Sequence, residues 1–194
     1  MHYYVSKAIS IITSIQETRK LVSQMQIVIR RETDEDIPGI YEVNRSAFGR
    51  VNEAELVDKL RLDHAITLSL VAMDDGQVVG HILISPVTID SDGSQWSAVA
   101  LGPMAVLPSY QKQGVGSQLI RAAFAELIRA GHFVVIVLGH PEYYPRFGFK
   151  PSKPLGIQWE ISVPEDVFMV AELEDGALGG KTGVVRYHPA FNGV

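Results

Sequence analysis

The sequence predicts an α/β fold, and three stretches carry that expectation. Residues 133–138 are uninterrupted apolar residues, as in a strand buried on both faces. Residues 117–130 read as an amphipathic helix: Leu119, Ile120, Ala123, Phe124, Leu127 and Ile128 fall on one stripe, and Gly131 closes it. Residues 101–117, reading LGPMAVLPSYQKQGVGS, run from an apolar strand through a proline turn into a glycine-bearing loop that opens on that helix. Strand, loop and helix in this order make the unit on which such folds bind ligands.

The remaining elements follow in order. Residues 1–24 stand apart: Ile9, Ile11, Ile12 and Ile15 give way to the basic Arg19 and Lys20. They lack the contiguous apolar core and cleavage site of a secretory signal, and read as an N-terminal extension in which a short amphipathic helix could form. One domain is expected over residues 25–194. Its first strand is residues 25–30, and Thr33 then caps a helix start carrying Asp34, Glu35 and Asp36. Ile37, Ile40, Tyr41, Asn44 and Phe48 recur at helical spacing. Asn52 opens a second short helix with Leu56, Val57 and Leu60 on its buried side, and Glu55 three residues on fits a capping box. Residues 68–73 and 77–85 read as strands joined through Asp74, Asp75 and Gly76, a hairpin signal. Asp92 and Gly93 turn the chain into a strand over 96–106. After the 133–138 strand come a short helix and further strands, including residues 168–170 and 186–191.

Composition narrows the function classes. With 194 residues, 46% hydrophobic and 20% charged, the chain is an ordinary globular domain, able to bury about two-thirds of its unfolded surface. No apolar run approaches the ~20 residues of a membrane span. The absence of cysteine excludes disulfides, thiolate metal sites and cysteine nucleophiles, and fits a reducing cytoplasm. A net charge of −5 argues against nucleic acid as a partner. The six histidines show no paired ligand spacing, so no metal site is expected.

The loop residues Gln111, Lys112, Gln113, Gly114, Val115, Gly116 and Ser117 stand at a helix N-terminus. Unsatisfied N–H groups and the helix dipole there favour a phosphate, and the glycines let the backbone approach it. The triphosphate pattern G-x-x-x-x-G-K-[ST] does not occur. The dinucleotide pattern fails at its third glycine, where Leu119 stands, and its acidic ribose reader is missing. An ordinary turn with incidental glycines is the plain alternative.

Q-x-x-G-x-G after V-L-P closely resembles the coenzyme A loop of the GNAT superfamily of N-acetyltransferases. The likeness extends over residues 27–149 and more loosely beyond, where residues 168–170 and 186–191 resemble the last strands of a bacterial branch. It implies a mixed central sheet with helices on both faces and a splayed strand pair that holds acetyl-CoA as co-substrate. Gly102 and Pro103, which interrupt a good strand, suit that splay. By resemblance, the backbone of Met104, Ala105 and Val106 pairs with the pantetheine arm, and residues 111–117 hold the pyrophosphate.

The segment His140-Pro141-Glu142-Tyr143-Tyr144-Pro145-Arg146-Phe147-Gly148-Phe149 resembles the GNAT stretch whose tyrosine faces the cofactor sulfur. Tyr144 matches that position as the acid that protonates the departing thiolate, and Tyr143 is assigned to packing. A phenol of pKa ~10 can serve a thiolate of parent pKa ~8.5. For the base, Glu53 and ordered water both stand open. The expected function is N-acetyl transfer to a small-molecule or peptide amine, without metal, nucleic acid or membrane. A homodimer is left open. The alternatives are a non-catalytic acyl-CoA sensor and a partner-binding domain that holds only adventitious anions.

Overall fold

A computed structural model describes residues 26–192. The extension expected over residues 1–24 therefore lies outside the described residues.

Strands β1 (Val28–Arg31), β2 (Leu68–Asp74), β3 (Gln77–Ser91), β4 (Ser94–Val106), β5 (Val134–Leu138), β6 (Lys150–Pro151), β7 (Ile157–Trp159), β8 (Phe168–Glu172) and β9 (Gly183–Arg186) share one mixed sheet. Its order is β1-β2-β3-β4-β5-β8-β6, with β9 paired to β3 and β7 paired to β9. The β4–β5 and β7–β9 pairings are parallel and the rest antiparallel.

Helices cover both faces, as the resemblance implies. The apolar stripe of α3 (Val115–Arg129) presses Leu119, Ile120, Ala123 and Leu127 onto Leu70, Ala72, Ile82 and Ile84. On the opposite face α1 (Ile37–Phe48) and α2 (Asn52–Leu62) bring Ile40, Val43, Leu56, Val57 and Leu60 over Val71, Leu83 and Ala105. Each such leucine, isoleucine or valine contributes roughly 1.5–3 kcal/mol through burial. A third cluster packs Val87, Ile89, Ala98, Ala100 and Ile136 under Ile157 and Val185 of the β7–β9 arm.

Three local expectations are corrected. The strand expected over residues 77–85 runs on to Ser91, because β9 takes up the edge of β3 at Thr88–Asp90 after β2 has ended. Residues 86–91, which the sequence reading left outside a strand, are therefore paired to β4 and, at Thr88–Asp90, to β9. The strand expected over residues 186–191 stops at Arg186; Pro189 has no ladder donor, and Pro189–Phe191 is a 3-10 turn whose Ala190 N–H donates to His188 Nδ1 at 3.2 Å. The Asn52–Glu55 capping box does not form. The first bond of α2 runs from the Glu55 N–H to the Val51 carbonyl at 2.9 Å, which places Asn52 inside the first turn. The reciprocal contact occurs at the earlier site instead, where the Thr33 N–H donates to Asp36 Oδ2 at 2.7 Å. Arg30 also clamps Asp36, with bonds of 2.6 and 2.8 Å, and holds its carboxyl down at about 2.

A polar chain is sealed between α1 and the sheet. His81 is fully buried, with Nε2 3.0 Å from Ser69 Oγ and Nδ1 3.1 Å from Asn44 Nδ2. Asn44 Nδ2 also donates to the Ile40 carbonyl, so Nδ1 accepts and the proton is assigned to Nε2. Ser69 in turn donates to Glu32, which Arg61 pairs. Burial, with a further push from the Arg61 charge, lowers the His81 pKa to about 3. The ring is neutral in the folded protein.

Candidate active site

The site begins where two strands part. β4 pairs with β5 only from Val99–Leu101 against Val135–Val137. At the cis Gly102–Pro103 peptide the ladder to β3 slips, from Leu101 opposite Ile84 to Met104 opposite Ile82. Two residues, Gly102 and Pro103, thus face Leu83 alone, which is a bulge. Gly102 has φ of 150°, which a side chain would resist. Beyond the bulge β4 has no partner on the β5 side among the described residues, and a cleft of about 910 Å³ enters the gap. Met104 and Val106 line it on one side, Leu138 and Gly139 on the other.

The cleft ends at the start of α3. Gly114 caps that helix with φ of 87°, and the first intrahelical bond is Gln118 N–H to the Gly114 carbonyl at 3.0 Å. The N–H groups of Val115, Gly116 and Ser117 therefore have no acceptor within the helix. The loop is braced by its own amides: Gln111 donates to the Val106 carbonyl at 3.0 Å, and Gln113 to the Ser109 carbonyl at 2.6 Å.

Of the expected site residues, Met104, Val106, Gln111, Lys112, Gly114, Gly116, Ser117 and Tyr144 line the cleft. Ala105, Gln113 and Val115 do not. Ala105 is buried against α1 and α2, Val115 is buried beneath α3, and Gln113 is turned to Ser109. What these three can offer a ligand is backbone.

The two tyrosines have different surroundings. Tyr144 is buried, edge-on to Tyr143 at 5.2 Å and to Phe149 at 5.5 Å, and it borders the cleft. Burial pushes its phenol well above the ordinary range. A Cβ at Gly139 would overlap its ring, so the bare backbone there seats it. Tyr143 is half-buried: a Cβ at Gly116 would meet its hydroxyl at 2.7 Å, so that hydroxyl stands over the start of α3. Arg146 covers the Tyr143 ring at 3.9 Å from its centroid.

At the far end the cleft is bounded by residues the sequence reading did not assign to the site. Phe48, Arg50 and Leu56 flank Glu53, while Trp159, Tyr187 and Phe191 come from the C-terminal segment. Glu53 is buried at 5% exposure, and both its oxygens lie 3.1 Å from Arg50 Nε. As a candidate base it is already paired. The spacing of Arg50 and Glu53 at i, i+3 could have signalled the pair; nothing local signals the aromatic wall.

The glycines give a test. Gly116→Val should weaken coenzyme A binding by about 10- to 100-fold, because the branched Cβ crowds both Tyr143 and the bare helix start. Gly114 has open space around it, and its substitution acts through the left-handed backbone instead. Calorimetric titration checks this; unchanged affinity in a folded Gly116→Val protein would place the phosphate elsewhere.

Comparison with known proteins agrees with this geometry. Residues 28–152 match the family described as the acetyltransferase (GNAT) domain. YhbS of Escherichia coli strain K12, an uncharacterized N-acetyltransferase, is 40% identical over 167 residues, covering 86% of this chain and 99% of the relative. The E. coli YhbS structure in complex with CoA superposes with a TM-score of 0.81 over 87% of this chain and 93% of that one, at 40% identity. A GNAT family acetyltransferase from Brucella melitensis in complex with acetyl-CoA gives 0.72 over 87% and 100%, at 37% identity.

Proposed function

We propose, from the fact that this chain belongs to the GNAT acetyltransferase family, that it moves the acetyl group of acetyl-CoA directly onto a primary amine. One observation carries the reading: a single cleft runs from the open N-terminus of α3, through the β4–β5 gap and past Tyr144, to the α1–α2 turn. The donor set fits a pantetheine diphosphate, with N–H donors at the helix start, Lys112 and Arg146 beside it, and unpaired β4 backbone along the gap. Bound acetyl-CoA supplies an activated acyl thioester.

The protein's own groups do the rest. The N–H groups of Val115, Gly116 and Ser117, with Lys112, hold the pyrophosphate, and Gln111 and Gln113 keep the loop in shape. The backbone of Met104, Ala105 and Val106 pairs with the extended arm. Tyr144 holds its proton at Oη and donates it toward the departing sulfur as the new N–C bond replaces the C–S bond. The amine proton leaves by ordered water, since Arg50 already engages Glu53. The cytoplasm is the proposed setting, in keeping with a cysteine-free chain.

Thiol release from acetyl-CoA with an amine panel tests the reaction, and thermal shift tests the ligand. Coenzyme A at ~100 times its dissociation constant should add about 2.7 kcal/mol, and NAD or ATP nothing. Equal stabilisation by NAD would overturn the assignment. Tight coenzyme binding without transfer to any amine would make the protein an acyl-CoA sensor.

A further inference from the structure

We infer that the amine acceptor is a monoamine carried on an aromatic body, held against the wall formed by Trp159, Tyr187 and Phe191. This inference rests on the acetyl-transfer reading and specifies the other end of the same cleft. The three rings form a continuous ribbon, with Trp159 and Tyr187 centroids 5.4 Å apart and Tyr187 and Phe191 centroids 5.0 Å apart. All three line the cleft and remain partly exposed, and Phe48 at 42% exposure lines it with them. So much partly exposed aromatic surface in one concave wall is a recognition surface for a flat apolar group.

Charge excludes the other common acceptors. The charged residues lining the cleft are Arg50, Glu53, Lys112 and Arg146. Lys112 belongs to the loop, and Arg146 stacks on Tyr143, whose hydroxyl stands over the start of α3. At the acceptor end Arg50 and Glu53 neutralise each other through both carboxylate oxygens. A polyamine or aminoglycoside would bring several charges into a space whose one carboxylate among the described residues, Glu53, is already paired, and each would lose water without a partner. An acidic acceptor meets the same difficulty with Arg50. A single amine is suited: its protonated form gains from the ring faces on entry, and its neutral form attacks.

The test compares 2-phenylethylamine with ethylamine, spermidine and kanamycin as acceptors for the full chain, using thiol release. A dipeptide amide with N-terminal phenylalanine distinguishes a peptide source from a free amine. Expected is a kcat/KM for an aromatic monoamine at least about 10-fold above ethylamine, with spermidine and kanamycin lower still. Trp159→Ala should bring 2-phenylethylamine to the ethylamine level by raising its KM, with the KM for acetyl-CoA unchanged. A preference for spermidine or kanamycin, or no gain over ethylamine, overturns the acceptor class and leaves the transfer reading standing. Should no amine be acetylated, calorimetry with the coenzyme A complex separates the two claims. Binding of 2-phenylethylamine but not ethylamine retains the aromatic site and overturns transfer; binding of neither overturns both.

Discussion

Tyr144→Phe should lower turnover by roughly 10²- to 10⁴-fold while acetyl-CoA affinity changes little. The ring's packing survives the change, because its contacts with Tyr143 and Phe149 are edge-on ring contacts that phenylalanine also makes. What is lost is one proton donor beside the strand gap. Burial keeps the Tyr144 phenol protonated beyond its usual range, so the kcat profile should show no loss from this group below pH ~10. Tyr143→Phe is the matched control. Its hydroxyl stands over the start of α3, so that change should raise the KM for acetyl-CoA a few-fold and spare kcat. Steady-state thiol release for wild type and both variants decides it. Full activity in Tyr144→Phe removes the donor role, and a larger kcat loss in Tyr143→Phe transfers it to the neighbour.

Acid should destabilise the protein through His81. In the unfolded chain the ring titrates near 6.5, whereas in the fold it resists protonation down to about 3. As pH falls through 6.5 the unfolded state takes a proton that the folded state refuses. Stability therefore drops by about 1.4 kcal/mol per pH unit from this group, reaching roughly 5 kcal/mol near pH 3. That is a large share of the 5–15 kcal/mol that holds a typical domain together. The neighbouring charges, Glu32 and Arg61, are paired with each other. Asp36 acts in the same direction but lower, its contribution being lost only between its ordinary 3.8 and about 2. Urea unfolding of wild type and His81→Gln between pH 6 and 4 isolates the histidine. The variant should lose one proton's worth of slope, whatever its absolute stability; equal slopes would mean that His81 is protonated in the fold.

The parts of this molecule that were legible in the sequence are those whose cause is local. The α3 stripe, the buried β5 run and the loop at residues 111–117 each follow from residues adjacent in the chain, and such a loop needs only a strand, glycines and a helix start. The Gly102–Pro103 interruption was legible as a break, because neither residue suits a ladder. Placement across the fold was not. Val115 lies in the loop motif yet points into the core, since it is the first residue of a helix whose stripe faces the sheet. Glu53 reads as a surface acid until Arg50 is seen to cover it. His81 is one histidine among six until Asn44 and Ser69, 37 and 12 residues away, close on both its nitrogens. The aromatic wall joins residues 159, 187 and 191 only because a strand between 183 and 186 finds the edge of β3.

That attachment also separates the two walls of the cleft mechanically. The matched family region ends at residue 152, so Trp159, Tyr187 and Phe191 all lie beyond it. The arm that carries them joins the sheet through β9 on β3, and it forms no ladder with β4 or β5. A substitution in this arm can therefore alter the far wall of the cleft without disturbing the bulge, the glycine loop or Tyr144.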